Sequence, residues 1–401
     1  MHDDPRIFLK SWAVACAIVT IGIAGYVMAM DPYLLFGVPR VLGVNARKPA
    51  IDDHDRLMKA YDVVRTAPNT LLLGSSRIDL GLDAQFVAWP ESTRPVYNLG
   101  FLSGSPYIAY RYLQHATYFK KPRLVVLGLD FQFFLRDQEY GVGSDFEARL
   151  AVDEAGRVNR KRIVQQTRDI EHVLSLEALL DSVQTLLANI RGRSSNIVAG
   201  NWSQDAFAGA PDFWFTLSEY DLIHEYEGKH VNQRVMPQVE QILNLCESSG
   251  LKLIVVINPM HASELEMIDL LGLWSTYEDW KRSLVALISR YSHLQGAPPI
   301  VLLDFNAYDD YSSESVPTYS RRLNWFRNTN HYTHALGDVV VSSLFQQNDV
   351  VYGVVLTPQN IESHLNEIRT QRSAYRATHE NDAKRLRSLV SAVRAEMATQ
   401  K

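Results

Sequence analysis

Cysteine is nearly absent: Cys16 and Cys246 are the only two in 401 residues, and Cys16 lies inside an apolar segment. That excludes a disulfide framework and a cysteine-built zinc site, and it leaves the redox compartment open. An excess of either charge is missing too. Lysine and arginine number 40 against 45 aspartates and glutamates, a formal net charge of -5 with both signs mixed along the chain. This balance offers no electrostatic footprint for nucleic acid. Internal repeats and long low-complexity runs are also lacking, which removes solenoid and fibrous architectures. What is there is a 46% hydrophobic share, ordinary for a globular protein. The length suits one large α/β domain with an elaboration, or two domains.

The longest uncharged run is Ser11 to Met30, 20 residues between Lys10 and Asp31. After a short N-terminal tail, 1–10, it has the length that crosses a bilayer core. The apolar region of a cleaved signal peptide is usually about 7 to 15 residues, so 11–30 reads as a retained transmembrane anchor. Arg6 and Lys10 precede it while Arg40, Arg47 and Lys48 follow it. Local charge therefore does not choose the side on which the rest of the chain lies.

Past the anchor, short apolar runs alternate with helical patterns. Thr70 to Leu73 is a short apolar β-type run, Pro95 to Asn98 a second strand candidate, and Leu124 to Gly128, Leu253 to Ile257 and Ile300 to Leu303 have the continuous hydrophobicity of strands buried on both faces. Helical periodicity marks 52–66, a stretch opening at Ser105-Pro106, and Pro237 to Ser249 with its stop at Gly250. The alternation predicts an α/β fold with a parallel sheet over 52–140 and 221–345. Between them, 141–220 breaks the rhythm and reads as a helical insertion or cap. It carries the amphipathic segment Leu176 to Ile190 and two tryptophans, Trp202 and Trp214, suited to packing or to lining a sugar groove. The charged tail 358–401 has an apolar stripe through Leu386, Leu389, Val390, Val393 and Met397. It either packs on the domain or pairs with a partner helix, Lys384, Arg385, Arg387 and Arg394 offering a membrane surface as a further reading.

The candidate chemistry centres on Gly74-Ser75-Ser76-Arg77, which reads as strand, tight turn and helix entry. Glycine permits close backbone approach, and free N–H groups at a helix start stabilise negative charge beside a serine oxygen. An acyl-transferring nucleophile needs both. A polar turn with an N-capping hydroxyl would look the same. Serine also needs a base, and Asn328-Thr329-Asn330-His331 follows the last apolar run, where open parallel sheets gather their sites. His331 and His334, three apart without a companion cysteine or glutamate, are a weak metal pattern. His261, at the end of another strand, either contacts substrate or closes a turn.

Four short blocks then fall in a telling order: Gly74-Ser75-Ser76, Asn98-Leu99-Gly100, Gly128-Leu129-Asp130-Phe131 and Asn328-x-x-His331-Tyr332. Together they resemble SGNH/GDSL-type hydrolases over residues 70 to 345, and within them membrane-anchored bacterial variants related to D-alanyl transfer and alginate O-acetylation proteins. The resemblance implies a flavodoxin-like three-layer α/β/α sandwich with the helical insertion and the N-terminal anchor added. It implies an esterase or O-acyltransferase working through an acyl-serine, with Ser76 as nucleophile, His331 as base, and the N–H groups of Ser76 and Gly100 as oxyanion donors. No metal or organic cofactor is implied. The partners would be an envelope glycan or acylated carrier and a membrane acyl-donor protein, the protein sitting in the inner (cytoplasmic) membrane with its main domain periplasmic or otherwise extracytoplasmic. Two positions depart from the pattern. Asn328 stands where the family has an aspartate, with Asp304 or Asp338 as substitute orienters of His331. Asp130 stands where it has an asparagine, and pairing with Arg77 would quench its charge. These departures favour the rival expectation, a non-catalytic glycan-binding or scaffold protein.

Overall fold

The apolar runs pair edge to edge in the computed structural model, which describes residues 5–136, 144–173, 175–192, 210–291, 300–319, 321–346 and 352–399. Six strands, β1 Thr70–Gly74, β2 Val96–Gly100, β3 Leu124–Leu129, β4 Lys252–Ile257, β5 Val301–Asp304 and β6 Val354–Val355, form one sheet in the order β2-β1-β3-β4-β5-β6. The first five are parallel, with β1 in register with β2 from Thr70↔Val96 to Gly74↔Gly100. Only β6 runs antiparallel, against β5. Every residue of β1, β2 and β3 is buried, as expected of strands covered on both faces.

The α-helices, in chain order, are α1 Pro5–Met30, α2 Asp55–Thr66, α3 Ser76–Gly81, α4 Pro106–Phe119, α5 Ser144–Arg149, α6 Lys161–His172, α7 Leu176–Ile190, α8 Pro211–Tyr226, α9 Val235–Ser249, α10 Ala262–Leu270, α11 Trp274–Tyr291, α12 His334–Leu344, α13 Ile361–Thr378 and α14 Glu380–Thr399. The chain divides into two compact units, one of 1–65 with 143–197 and one of 66–142 with 198–401. The stretch 141–220 thus contributes to both, α5 to α7 to the first and α8 to the second.

In the larger unit the sheet is the core. Leu72, Val126, Ile254 and Val256 cluster with Leu336, Val340 and Val341 of α12, each such burial contributing about 1.5–3 kcal/mol. Helices α4, α9 and α11 contact β1, β2, β4 and β5. Two glycines allow the short helix α3 to enter this packing. Gly74 has φ +150°, and a Cβ there would lie 2.7 Å from Ile78 Cγ1. A Cβ on Gly337 of α12 would lie 1.9 Å from the Gly81 carbonyl oxygen, so the two helices touch backbone to backbone. The tail packs on its own domain: α14 contacts α8 and α10, burying Leu386, Val390 and Val393. Arg385 and Arg394 are spent on Glu219 and Glu227 of that domain. The stripe and these two arginines are therefore not left for a partner helix or a lipid surface.

In the smaller unit, residues 6–30 of α1 are long and apolar enough to cross a membrane, an 18-residue window within them reaching mean hydropathy 2.1. Helix α7 packs along α1 with an inverted pattern. Ala178, Ser182, Thr185 and Asn189 are its buried face, while Leu176, Leu180 and Ile190 are exposed. Two of the inward polar groups are satisfied, Ser182 Oγ donating to the Ala178 carbonyl at 2.7 Å and Asn189 Nδ2 to the Arg47 carbonyl at 2.9 Å, while Thr185 Oγ1 is buried without a partner among the described residues.

Candidate active site

The turn after β1 gives two adjacent serines opposite environments. Ser75 is buried and caps α3, accepting from the Arg77 N–H at 3.1 Å while donating to Asp130 Oδ2. Its hydroxyl is fully used. Ser76, the first residue of α3, lies on a groove with its Oγ 2.8 Å from His331 Nε2. The site sits at the carboxyl end of the sheet beside the β1/β3 boundary. There the chain turns from β1 out to β2 and later returns past it to β3, the switch point at which open α/β sheets bind ligands.

His331 belongs to a loop closed by antiparallel bridging of Phe326 with Tyr332 and by the Arg327 N–H donating to the His331 carbonyl at 2.8 Å. Thr329 ties the loop to α8, its N–H donating to Ser218 Oγ at 3.1 Å, and the His261 N–H donates to its carbonyl at 3.3 Å. Asn328 is buried at the centre. Its Oδ1 accepts from the backbone N–H of His331 at 2.9 Å and of Asn330 at 3.3 Å, so the amide turns oxygen, not nitrogen, to the ring. His331 Nδ1 is 2.9 Å from that same oxygen. Nδ1 therefore carries the ring proton, and Nε2 is left to accept from the Ser76 hydroxyl. Burial, followed by the Arg77 and Arg327 guanidiniums, pulls the His331 pKa down to about 3. The imidazole is neutral at any physiological pH. Asp304 does not orient it, being spent on Lys281 and on His364 Nε2 at 2.9 Å. Nor does Asp338: its pKa is pushed up to about 6 by burial and then by Asp83, and Nδ1 is already held by Asn328.

Beneath the serines lies a buried charged cluster. Arg77 is 1% exposed and makes its shortest contacts, 2.7 and 2.9 Å, with both oxygens of Glu264. Asp130 Oδ1 is 3.4 Å from Arg77 Nε and accepts from Asn258 Nδ2 at 2.9 Å. Burial works against the Arg77 charge, but Glu264 and Asp130 outweigh it and hold its pKa above the ordinary value. Burial pushes Glu264 up, opposed by Arg77. Asp130, with its oxygens on Ser75, Asn258 and Arg77, is a positioning residue beneath the turn. Arg77 is likewise a support for the turn, and neither lines the groove.

Two further residues expected to touch substrate do not line the groove. Gly100 is the last residue of β2, and its N–H donates to Asn98 Oδ1 at 2.8 Å, which removes it as an oxyanion donor. His261 is wholly buried and closes a turn: Nδ1 accepts from the Ser263 N–H at 3.1 Å, and Nε2 donates to the Glu314 carbonyl at 2.8 Å. The groove, about 360 Å³, is walled instead by Leu102 and Ser103 after β2 and by Trp214, Ser218, Asp221 and Glu225 of α8. Trp202 lies outside the described residues. The sequence signal for the α8 wall was Pro211 at a helix start followed by the helical spacing of Phe215, Leu222, Ile223 and Tyr226, all buried. Glu264 had no comparable signal.

Fold and site together define a class: a mixed α/β protein with a mostly parallel sheet, an apolar N-terminal helix, and a Ser76–His331–Asn328 relay at the sheet's carboxyl edge. No protein-family model and no curated protein matches this chain.

Proposed function

We propose that the protein is a membrane-anchored serine esterase or O-acyltransferase of the SGNH/GDSL type, built on a flavodoxin-like three-layer α/β/α sandwich. The single observation that carries this reading is the relay of Ser76 Oγ, 2.8 Å from His331 Nε2, with His331 Nδ1 2.9 Å from Asn328 Oδ1. His331 takes the hydroxyl proton as Ser76 Oγ attacks the acyl carbonyl, then returns it to the departing oxygen, leaving an acyl-serine. A sugar hydroxyl or water, deprotonated by the same nitrogen, releases the acyl group. The oxyanion donors are the Ser76 N–H and the backbone of the Leu102-Ser103 turn, in place of Gly100. Trp214 and the polar rim of the groove suit an envelope glycan or an acylated carrier, with a membrane acyl-donor protein feeding the transferase version.

The helix α1 supports a single-pass anchor, and we extend this to the inner membrane with the main domain periplasmic. Fusions after Lys401 test the sidedness: a periplasm-dependent reporter is active and a cytoplasm-dependent one silent, the reverse pattern overturning it. The catalytic reading is tested by mixing the protein with an activated acetyl ester and mapping the acyl group by mass spectrometry. Acylation of Ser76 that disappears in His331→Ala is the expected result. A folded protein that stays unacylated while binding glycan overturns it in favour of a binding module, the reading favoured by the uncharged Asn328 beside His331.

A further inference from the structure

In the smaller unit, three potential metal ligands converge from distant parts of the chain. His54 directly precedes α2, His172 ends α6, and Glu177 lies in the first turn of α7. One donor atom from each lies within 4.8 Å of the other two. The two imidazoles share a platform: the Tyr33 ring is 4.4 Å from His54 and 5.4 Å from His172, centroid to centroid. Tyr33 is itself buried in the cluster of Val27, Leu57, Val173 and Ala178, and its hydroxyl donates to Asp181 at 2.7 Å. The rings thus rest on a fixed support. Among the described residues no hydrogen bond reaches a ring nitrogen of His54 or His172, and His172 Nε2 lies 3.9 Å from Glu177 Oε2.

From this arrangement we infer that His54, His172 and Glu177 bind a divalent transition-metal ion of the zinc class. Two imidazoles and one carboxylate are the borderline donor set that zinc takes, with the fourth tetrahedral position left to water. Ligand atoms about 2.0–2.1 Å from a tetrahedral zinc stand about 3.3 Å apart, so the three side chains close by about 1 Å on binding. Glu177, 62% exposed at its side chain, has the freedom to do so. The ion would fasten the segment leaving α1, the start of α2 and the α6–α7 corner, contacts separated by more than a hundred residues of chain. It takes no part in the chemistry at Ser76.

The test uses the full chain in detergent, stripped with chelator and free of any affinity tag, titrated with zinc and separately with cobalt. About one equivalent of zinc is expected, with a rise in the unfolding midpoint and, for cobalt, the intense visible absorption of a four-coordinate site. Glu177→Gln weakens zinc binding by roughly 10-fold or more, and His54→Asn with His172→Asn abolishes it. His334→Ala and Ser76→Ala retain the full equivalent. Zinc binding unchanged in Glu177→Gln and in the double histidine variant overturns the inference. Should the double variant not fold, a weak six-coordinate cobalt spectrum in the wild-type protein overturns it equally.

Discussion

His261 and His331 sit in two loops that share a hydrogen bond, and burial lowers the pKa of both, to about 4 and about 3. Their ring nitrogens nevertheless face different partners. Those of His261 are both committed to the backbone, one to the Ser263 N–H and one to the Glu314 carbonyl. Those of His331 face an amide oxygen on one side and a serine hydroxyl on the groove on the other. Burial and a depressed pKa therefore do not mark a catalytic histidine here. What separates the two is a ring nitrogen left with a hydroxyl that a substrate can reach.

Removing each ring breaks this comparison most sharply. His331→Ala, like Ser76→Ala, is expected to lower acyl transfer by about 10⁴-fold or more while the protein stays folded. His261→Ala instead costs about 1–3 kcal/mol in a denaturant titration, through a lost cap and an unpaired carbonyl, and leaves Ser76 of the folded fraction reactive. The support beneath the serines comes next. Arg77→Met strands Glu264 and Asp130 in the interior, an expected loss of about 3–5 kcal/mol in the same titration.

Acid sharpens the contrast further. With its pKa lowered to about 4, His261 stays neutral in the folded protein at pH values where the unfolded chain already binds the proton. Stability therefore falls as pH drops from about 6.5 toward 4, by up to roughly 3 kcal/mol from this ring, and His261→Asn removes that share of the pH dependence. For His331 the same lowering has a kinetic sign. In the proposed mechanism the neutral ring is the active one, so the acid limb of the rate is expected well below pH 6.5. Asn328→Asp puts a carboxylate on Nδ1 and moves that limb up by about 1–3 pH units. It also raises the plateau rate about 10-fold, a modest gain because Asn328 already holds the reactive tautomer.

Four of the five parallel strands were legible as short apolar runs and β2 as a strand candidate, but the order β2-β1-β3 was not, because chain order does not show that the chain returns past β1 to place β3. Strand β6 was not, since Val354 and Val355 are too few to show a period. That Ser76 and His331 come together was legible from the order of four short blocks. The use of Gly100 was not, because its N–H is claimed by Asn98, two residues back and visible only in three dimensions. Asn328 is the clearest case. The sequence reports the loss of a carboxylate, whereas the two backbone donors that turn its oxygen to His331 belong to the loop's folded shape. Glu264 looks like any acid in a first helical turn until Arg77 is found 2.7 Å away.

The most direct measurement is labelling of the full-length protein with a serine-reactive fluorophosphonate, the modified residue mapped by mass spectrometry beside Ser75→Ala, Ser76→Ala and His331→Ala. One label per chain is expected, on Ser76, kept in folded Ser75→Ala and lost in the other two. A folded wild-type protein that takes no label, or takes it on another residue, contradicts the proposed mechanism.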